Sequence, residues 1–192
     1  MAKKYEFKPD KPQHGFFSKL YLTPTQRRSM LKWALYGLVL VALSVVQDVL
    51  LCQLDIFGAT TELVPCAIFL ICLLEGVDNG TLFGLIAGCI YVFSGSSAGN
   101  YVIVLITVIG FLATLLRQSY LQKGFGAAML CTTGAMVVYE LAVFFISVFF
   151  SLTPISRVGV AAVRAALSLL AAPALYPLLQ AIGKIGGEAW KE

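Results

Sequence analysis

The run Gly95-Ser-Ser-Ala-Gly99 matches G-x-S-x-G, the spacing that presents a nucleophilic serine, here Ser97, on a tight turn. Such a serine needs a base within hydrogen-bond reach. The only histidine of the chain is His14, far upstream and, in the layout derived below, across a membrane from Ser97. Lys123 falls on the same side as His14, so a Ser–Lys pair is missing too. The run therefore reads as a loop of small residues, and an intramembrane hydrolase fails for want of a base. Metal chemistry meets the same shortage of histidine. The five cysteines, Cys52, Cys66, Cys72, Cys89 and Cys131, lie in or beside apolar runs, with no C-x-x-C pair. A buried free thiol behaves as a small hydrophobe. Asp48, Asp55 and Glu62 are spread along a polar connection. No catalytic residue, metal site or cofactor is expected.

Two ionisable residues interrupt long apolar runs. Glu140 stands about ten residues before the end of one run, and Arg164 about seven residues into the next. At about 1.5 Å rise per residue their depths differ by roughly 5 Å. Charges inside a bilayer pair with one another or face a polar cavity, so the sequence predicts a Glu140–Arg164 ion pair. A third feature is Gly80, Gly84 and Gly88, four residues apart and hence on one helix face. Glycine there lets a second helix approach closely, which drives association in lipid. Packing inside the chain's own bundle is the expected use, with docking of a partner as the alternative.

The elements that hold these residues follow from composition. Of 192 residues 59% are apolar and 12% charged, with a mean hydropathy of +0.86. Water-soluble domains carry about 25% charged residues. The net charge of +4 is not a nucleic-acid signal, because eight of the fourteen Lys and Arg precede residue 33 and no aromatic platform is interleaved with them. Residues 1–22 read as a basic cytoplasmic tail. Residues 23–192 read as one membrane domain, opened by Thr23 as cap, Pro24 at the first helical position and Gln26 at capping-box spacing. With no cleavage site after the first apolar run, that run is expected to remain as an anchor.

Six spans are predicted, over residues 33–51, 64–74, 81–93, 101–116, 125–150 and 158–182. The second and third are short, since a full crossing takes about 20 residues. Pro173 and Pro177 predict a kink in the last. With the amino terminus inside, twelve Lys and Arg face the cytoplasm and only Arg157 the outside, a strong positive-inside asymmetry. The string Glu75-Gly-Val-Asp78-Asn-Gly then forms a cytoplasmic turn whose acids can face water. Gln47 is expected near the outer interface. The fold class is an all-α integral membrane protein, a bundle of six transmembrane helices with both termini cytoplasmic.

Several of these landmarks together resemble the rod shape-determining MreD family. They are Gln47 near the end of the first span, Thr61-Glu62-Leu63 opening the second, and Cys72-Leu-Leu-Glu-Gly76. The string GTLFGLIAGCIYVFSGSSAG, Gly80 to Gly99, and Leu115-Leu-Arg-Gln118 complete the match, which covers roughly residues 31–150. The chain departs from the family at Tyr91, where many members carry an acid, and in its longer polar tail. The resemblance implies a helical bundle similar to the substrate-binding subunits of energy-coupling-factor transporters. It also implies a non-enzymatic scaffold of the bacterial cell-elongation machinery in the cytoplasmic membrane. Its implied partners are an MreC-like bitopic protein, the MreB-like cytoskeleton, and the glycan polymerase and transpeptidase of peptidoglycan synthesis. Gln47, Glu62 and Glu75 are candidate partner contacts. The alternative is a substrate-binding subunit of such a vitamin or metal transporter. Against it, the four-residue positions Ala34, Leu38 and Ala42 break the alanine ladder that seats those subunits on their transport partner.

Overall fold

The computed structural model describes residues 24–49, 51–53, 61–95, 97–120 and 124–185. The basic tail with His14, the cap Thr23, and Asp55 and Lys123 lie outside them. Six α-helices follow in order: α1 Pro24–Val49, α2 Leu63–Glu75, α3 Val77–Phe93, α4 Tyr101–Tyr120, α5 Phe125–Phe149 and α6 Val158–Ile185. No strand occurs among the described residues. The apolar runs thus become helices close to their expected limits, for a chain in lipid must satisfy its backbone within each segment. Helices α1, α4, α5 and α6 are long and apolar enough to cross a membrane, whereas α2 and α3 are shorter.

Helix α2 is the axis of the bundle. Every residue from Val64 to Leu74 is buried, and α2 touches each of the other five helices. Its sequence, LVPCAIFLICLLE, has no polar face before its last residue. A helix apolar all round belongs inside. Thirteen residues span only about 20 Å, less than the roughly 30 Å of a bilayer core. The shortness is tolerated because the ends of α2 meet polar side chains of its neighbours rather than lipid.

Direction alternates along the chain. Lys32 at the start of α1 meets Glu75 at the end of α2, and Gln47 near the end of α1 meets Val64 at the start of α2. Arg164 near the start of α6 reaches Glu62, while Leu179 near its end reaches Tyr36. The start of α1 and the end of α6 therefore share the Glu75 end of the bundle.

The link between α2 and α3 is the single residue Gly76, at φ +89° and ψ 180°, a conformation that a Cβ would strain. Helix α3 begins at Val77, four residues before the expected limit. This corrects the reading of the acidic string as a water-facing turn. Asp78 is exposed in the first turn of α3, where a carboxylate suits the positive helix end. The Glu75 side chain, by contrast, is 6% exposed.

The glycine ladder packs internally. A Cβ at Gly80 would stand 2.5 Å from the Cys72 carbonyl oxygen, one at Gly84 3.0 Å from Cys72 Sγ, and one at Gly88 3.6 Å from Ile103 Cα. The ladder thus brings α3 against α2 and then α4. Helix α6 continues through Pro173 and Pro177, both on its exposed face. Four hydroxyls within the helices are satisfied one turn back: Thr107, Thr114, Thr132 and Ser168 donate to the carbonyls of Ile103, Gly110, Ala128 and Arg164. The outer faces carry exposed apolar side chains from every helix but α2, among them Leu38, Leu82, Val104, Phe145 and Leu170. Apolar exposure on that scale suits hydrocarbon rather than water.

Candidate functional site

Buried polar residues gather at the two ends of α2. At its carboxyl-terminal end Lys32 Nζ lies 2.5 Å from Glu75 Oε2. The Tyr36 hydroxyl donates to Glu75 Oε1 at 2.9 Å and stands 3.4 Å from the Leu179 carbonyl oxygen. A Cβ at Gly183 would come within 3.0 Å of that hydroxyl, so α6 must be bare there for Tyr36 to fit. Arg117 of α4 donates to the Leu73 carbonyl at the same end, taking up one of the acceptors a helix terminus leaves unsatisfied. Lys32 also sits 5.0 Å above the Trp33 ring. Every cation and anion here is engaged inside the bundle, which ties α1, α4 and α6 to the end of α2.

At the other end of α2 the arrangement is richer. Gln47 Oε1 accepts from the Val64 amide at 3.1 Å, and its side chain faces Tyr91 at the end of α3. The Glu62 amide donates to Ser168 Oγ at 2.9 Å, and Ser168 Oγ donates to the Arg164 carbonyl. Arg164 Nη1 donates to Glu62 Oε1 at 3.1 Å, with Tyr139 facing the same carboxylate. Glu140 is buried beside this group, at 3% exposure. Tyr91 of α3 stands at this same end, near Glu62 and Glu140.

The expected Glu140–Arg164 pair is corrected here: Arg164 pairs with Glu62. Depth along the helix was read correctly, since both residues line one cavity. The partner was not, because α2 lies between the other helices and offers Glu62 to α6. Gln47, Glu62 and Glu75, expected as candidate partner contacts, are buried and bonded within the chain. Tyr36, Tyr139 and Ser168 also belong to these clusters, without a motif to single them out, and Lys32, expected at the membrane edge beside Arg27 and Arg28, is instead buried against Glu75. Their signal is a buried stripe: on α1, Lys32, Tyr36, Leu40, Ser44 and Gln47 recur at helical spacing.

Among the described residues, hollows open at two places on the bundle. One, of about 360 Å³, lies between α1 and α3 and is apolar, lined by Trp33, Gly37, Leu40, Phe83, Ile86 and Ala87 among others. The second, of about 130 Å³, lies between α5, α6 and their connection and is lined by Glu140, Ser147, Thr153, Arg157 and Arg164 with Val143, Phe144, Val160 and Ala161. Ser97 sits in the α3–α4 turn. Among the described residues no group of three metal-ligating side chains converges, and Cys66, Cys72, Cys89 and Cys131 are free thiols.

The fold and its two polar ends define a helical bundle with the lengths and apolar faces of a membrane protein. No protein-family model matches the chain, and neither does any curated protein or solved structure.

Proposed function

We propose that the chain is a non-enzymatic scaffold subunit of the bacterial cell-elongation machinery. It crosses the cytoplasmic membrane six times, with both termini inside. It binds an MreC-like bitopic protein through its membrane helices, and through that contact the MreB-like cytoskeleton and the enzymes of peptidoglycan synthesis. The resemblance to the MreD family motivates the assignment. The observation that carries it is the apolar hollow between α1 and α3, which has small residues, Gly37 and Ala87, in its lining. Nothing stands within 4 Å of a Cβ placed on Gly37. Small residues beside an unfilled apolar groove are what a partner helix needs for close approach in lipid. Lys32, Tyr36 and Glu75, the polar residues of α1 and α2 at the carboxyl-terminal end of α2, are bonded to one another, so recognition at this hollow rests on shape.

Co-expression with an MreC homologue and purification in mild detergent tests this. Stable co-elution is expected. Gly37→Leu should fill the hollow and reduce co-elution at least tenfold without lowering the melting temperature of the chain alone. Absence of co-elution with the unaltered chain would end the scaffold reading.

A second reading has its own support. The charged cavity between α5 and α6 suits the substrate-binding subunit of an energy-coupling-factor type transporter. A small molecule retained through purification, with no co-elution, would favour it.

A further inference from the structure

The cavity between α5 and α6 holds charges that the bundle leaves unsatisfied. Glu140 is 3% exposed and its Oε1 has no hydrogen-bond partner among the described residues. Arg164 spends Nη1 on Glu62, but its buried Nε has no hydrogen-bond partner among the described residues. Arg157, in the short 3-10 turn Ile155–Arg157 that leads into α6, is exposed and forms no ion pair among the described residues. A buried polar group without a partner destabilises the fold, and more so when charged. Structures keep such groups where something else satisfies them.

The order of the charges says what that something is. Glu62 is neutralised by Arg164, so the uncompensated carboxylate at the inner end of the cavity is Glu140. The uncompensated guanidinium at the mouth is Arg157. Glu140 and Ser147 are seven residues apart on α5, about 10 Å along its axis. Arg164 lies seven residues after Arg157, six of them along the antiparallel α6. The hydroxyl-bearing Ser147 and Thr153 stand with Arg157 toward the mouth, and Val143, Phe144, Val160 and Ala161 complete the wall. A ligand that satisfies both ends enters cation first.

We propose that this cavity binds a small zwitterion, a primary ammonium joined by a short apolar spacer to a phosphate or carboxylate. The ammonium bonds to Glu140, and the anionic group meets Arg157 with Ser147 and Thr153. Phosphoethanolamine has this chemistry, either free or as the headgroup of a membrane lipid. The site does not depend on the scaffold reading, because none of its residues lines the hollow between α1 and α3.

The test uses the full chain. In the first arm, protein reconstituted in nanodiscs of equimolar phosphatidylethanolamine and phosphatidylglycerol is released into detergent, and retained lipid is read by native mass spectrometry. In the second, lipid-stripped protein in detergent is titrated with free phosphoethanolamine and followed by thermal unfolding. The lipid source predicts retention of phosphatidylethanolamine at least fivefold over phosphatidylglycerol. The free source predicts a rise of several degrees in melting temperature in the second arm only. In either case Glu140→Gln and Arg157→Gln abolish the effect, while Leu170→Ala on the outer face of α6 does not. Arg157 is exposed, so its variant tests the site even where Glu140→Gln folds poorly. Equal retention of both lipids with no thermal shift overturns the proposal, as does an effect that survives both variants.

Discussion

Glu62 and Glu140 stand in one cluster yet have different prospects. Glu62 holds the Arg164 guanidinium at 3.1 Å and anchors its own amide on Ser168. Replacing it with Gln removes a charge-assisted bond worth about 1.5–3 kcal/mol. Glu140 has no such partner, so Glu140→Gln should leave stability unchanged or raise it. Thermal unfolding of the two variants side by side in one detergent checks the order, and a larger loss from Glu140→Gln would mean that Arg164 pairs with Glu140 after all. At the other end of α2 the Lys32–Glu75 pair is nearly inaccessible, with side chains 4% and 6% exposed. Removing one member of such a pair strands the other, at a cost of about 3–5 kcal/mol. Lys32→Met should therefore melt far lower than the parent, and Lys32→Met combined with Glu75→Leu should recover much of the loss. A double variant no better than the single would show that the charges matter for more than each other.

Between elements, small residues decide how close two helices come. Gly80 is the tightest case, where a Cβ would overlap the Cys72 backbone at 2.5 Å. Gly80→Ala should force α3 away from α2 and cost about 1–3 kcal/mol. Gly134, on the exposed face of α5 with nothing within 4 Å, offers the contrast. There alanine should be neutral or stabilising by up to about 1 kcal/mol, through its better helix propensity. Melting temperatures of the pair measure the difference. The ladder at Gly80, Gly84 and Gly88 was legible as a packing face from spacing alone. Which neighbours it faces was not, since that depends on how far α3 is rotated about its axis.

For the molecule as a whole, alternation of helix direction brings the start of α1 and the end of α6 to one end of the bundle. In the proposed topology that end faces the cytoplasm, the side the positive-inside rule assigns to the more basic segments. A reporter active only in the cytoplasm should work when fused after Ile185, and one active only outside should work when inserted at Ser151. The reverse pattern, or activity of the same reporter at both sites, would refute the six-crossing arrangement. The short second and third helices bear most on this arrangement. Helix α2 can be thirteen residues long because protein, not lipid, surrounds it.

Six helices and nearly all their limits were determined by the sequence itself. Run length and polarity act locally, and an apolar backbone must close its hydrogen bonds within each segment wherever it ends up. The depth of Glu140 and Arg164 was local in the same sense, because rise per residue is constant. Their partners were a different matter. Whether Arg164 meets Glu140 or Glu62, and whether Glu75 faces water or Lys32, turns on helix order and axial rotation. Those are set by the burial of α2 among five neighbours, and only the assembled bundle decides them.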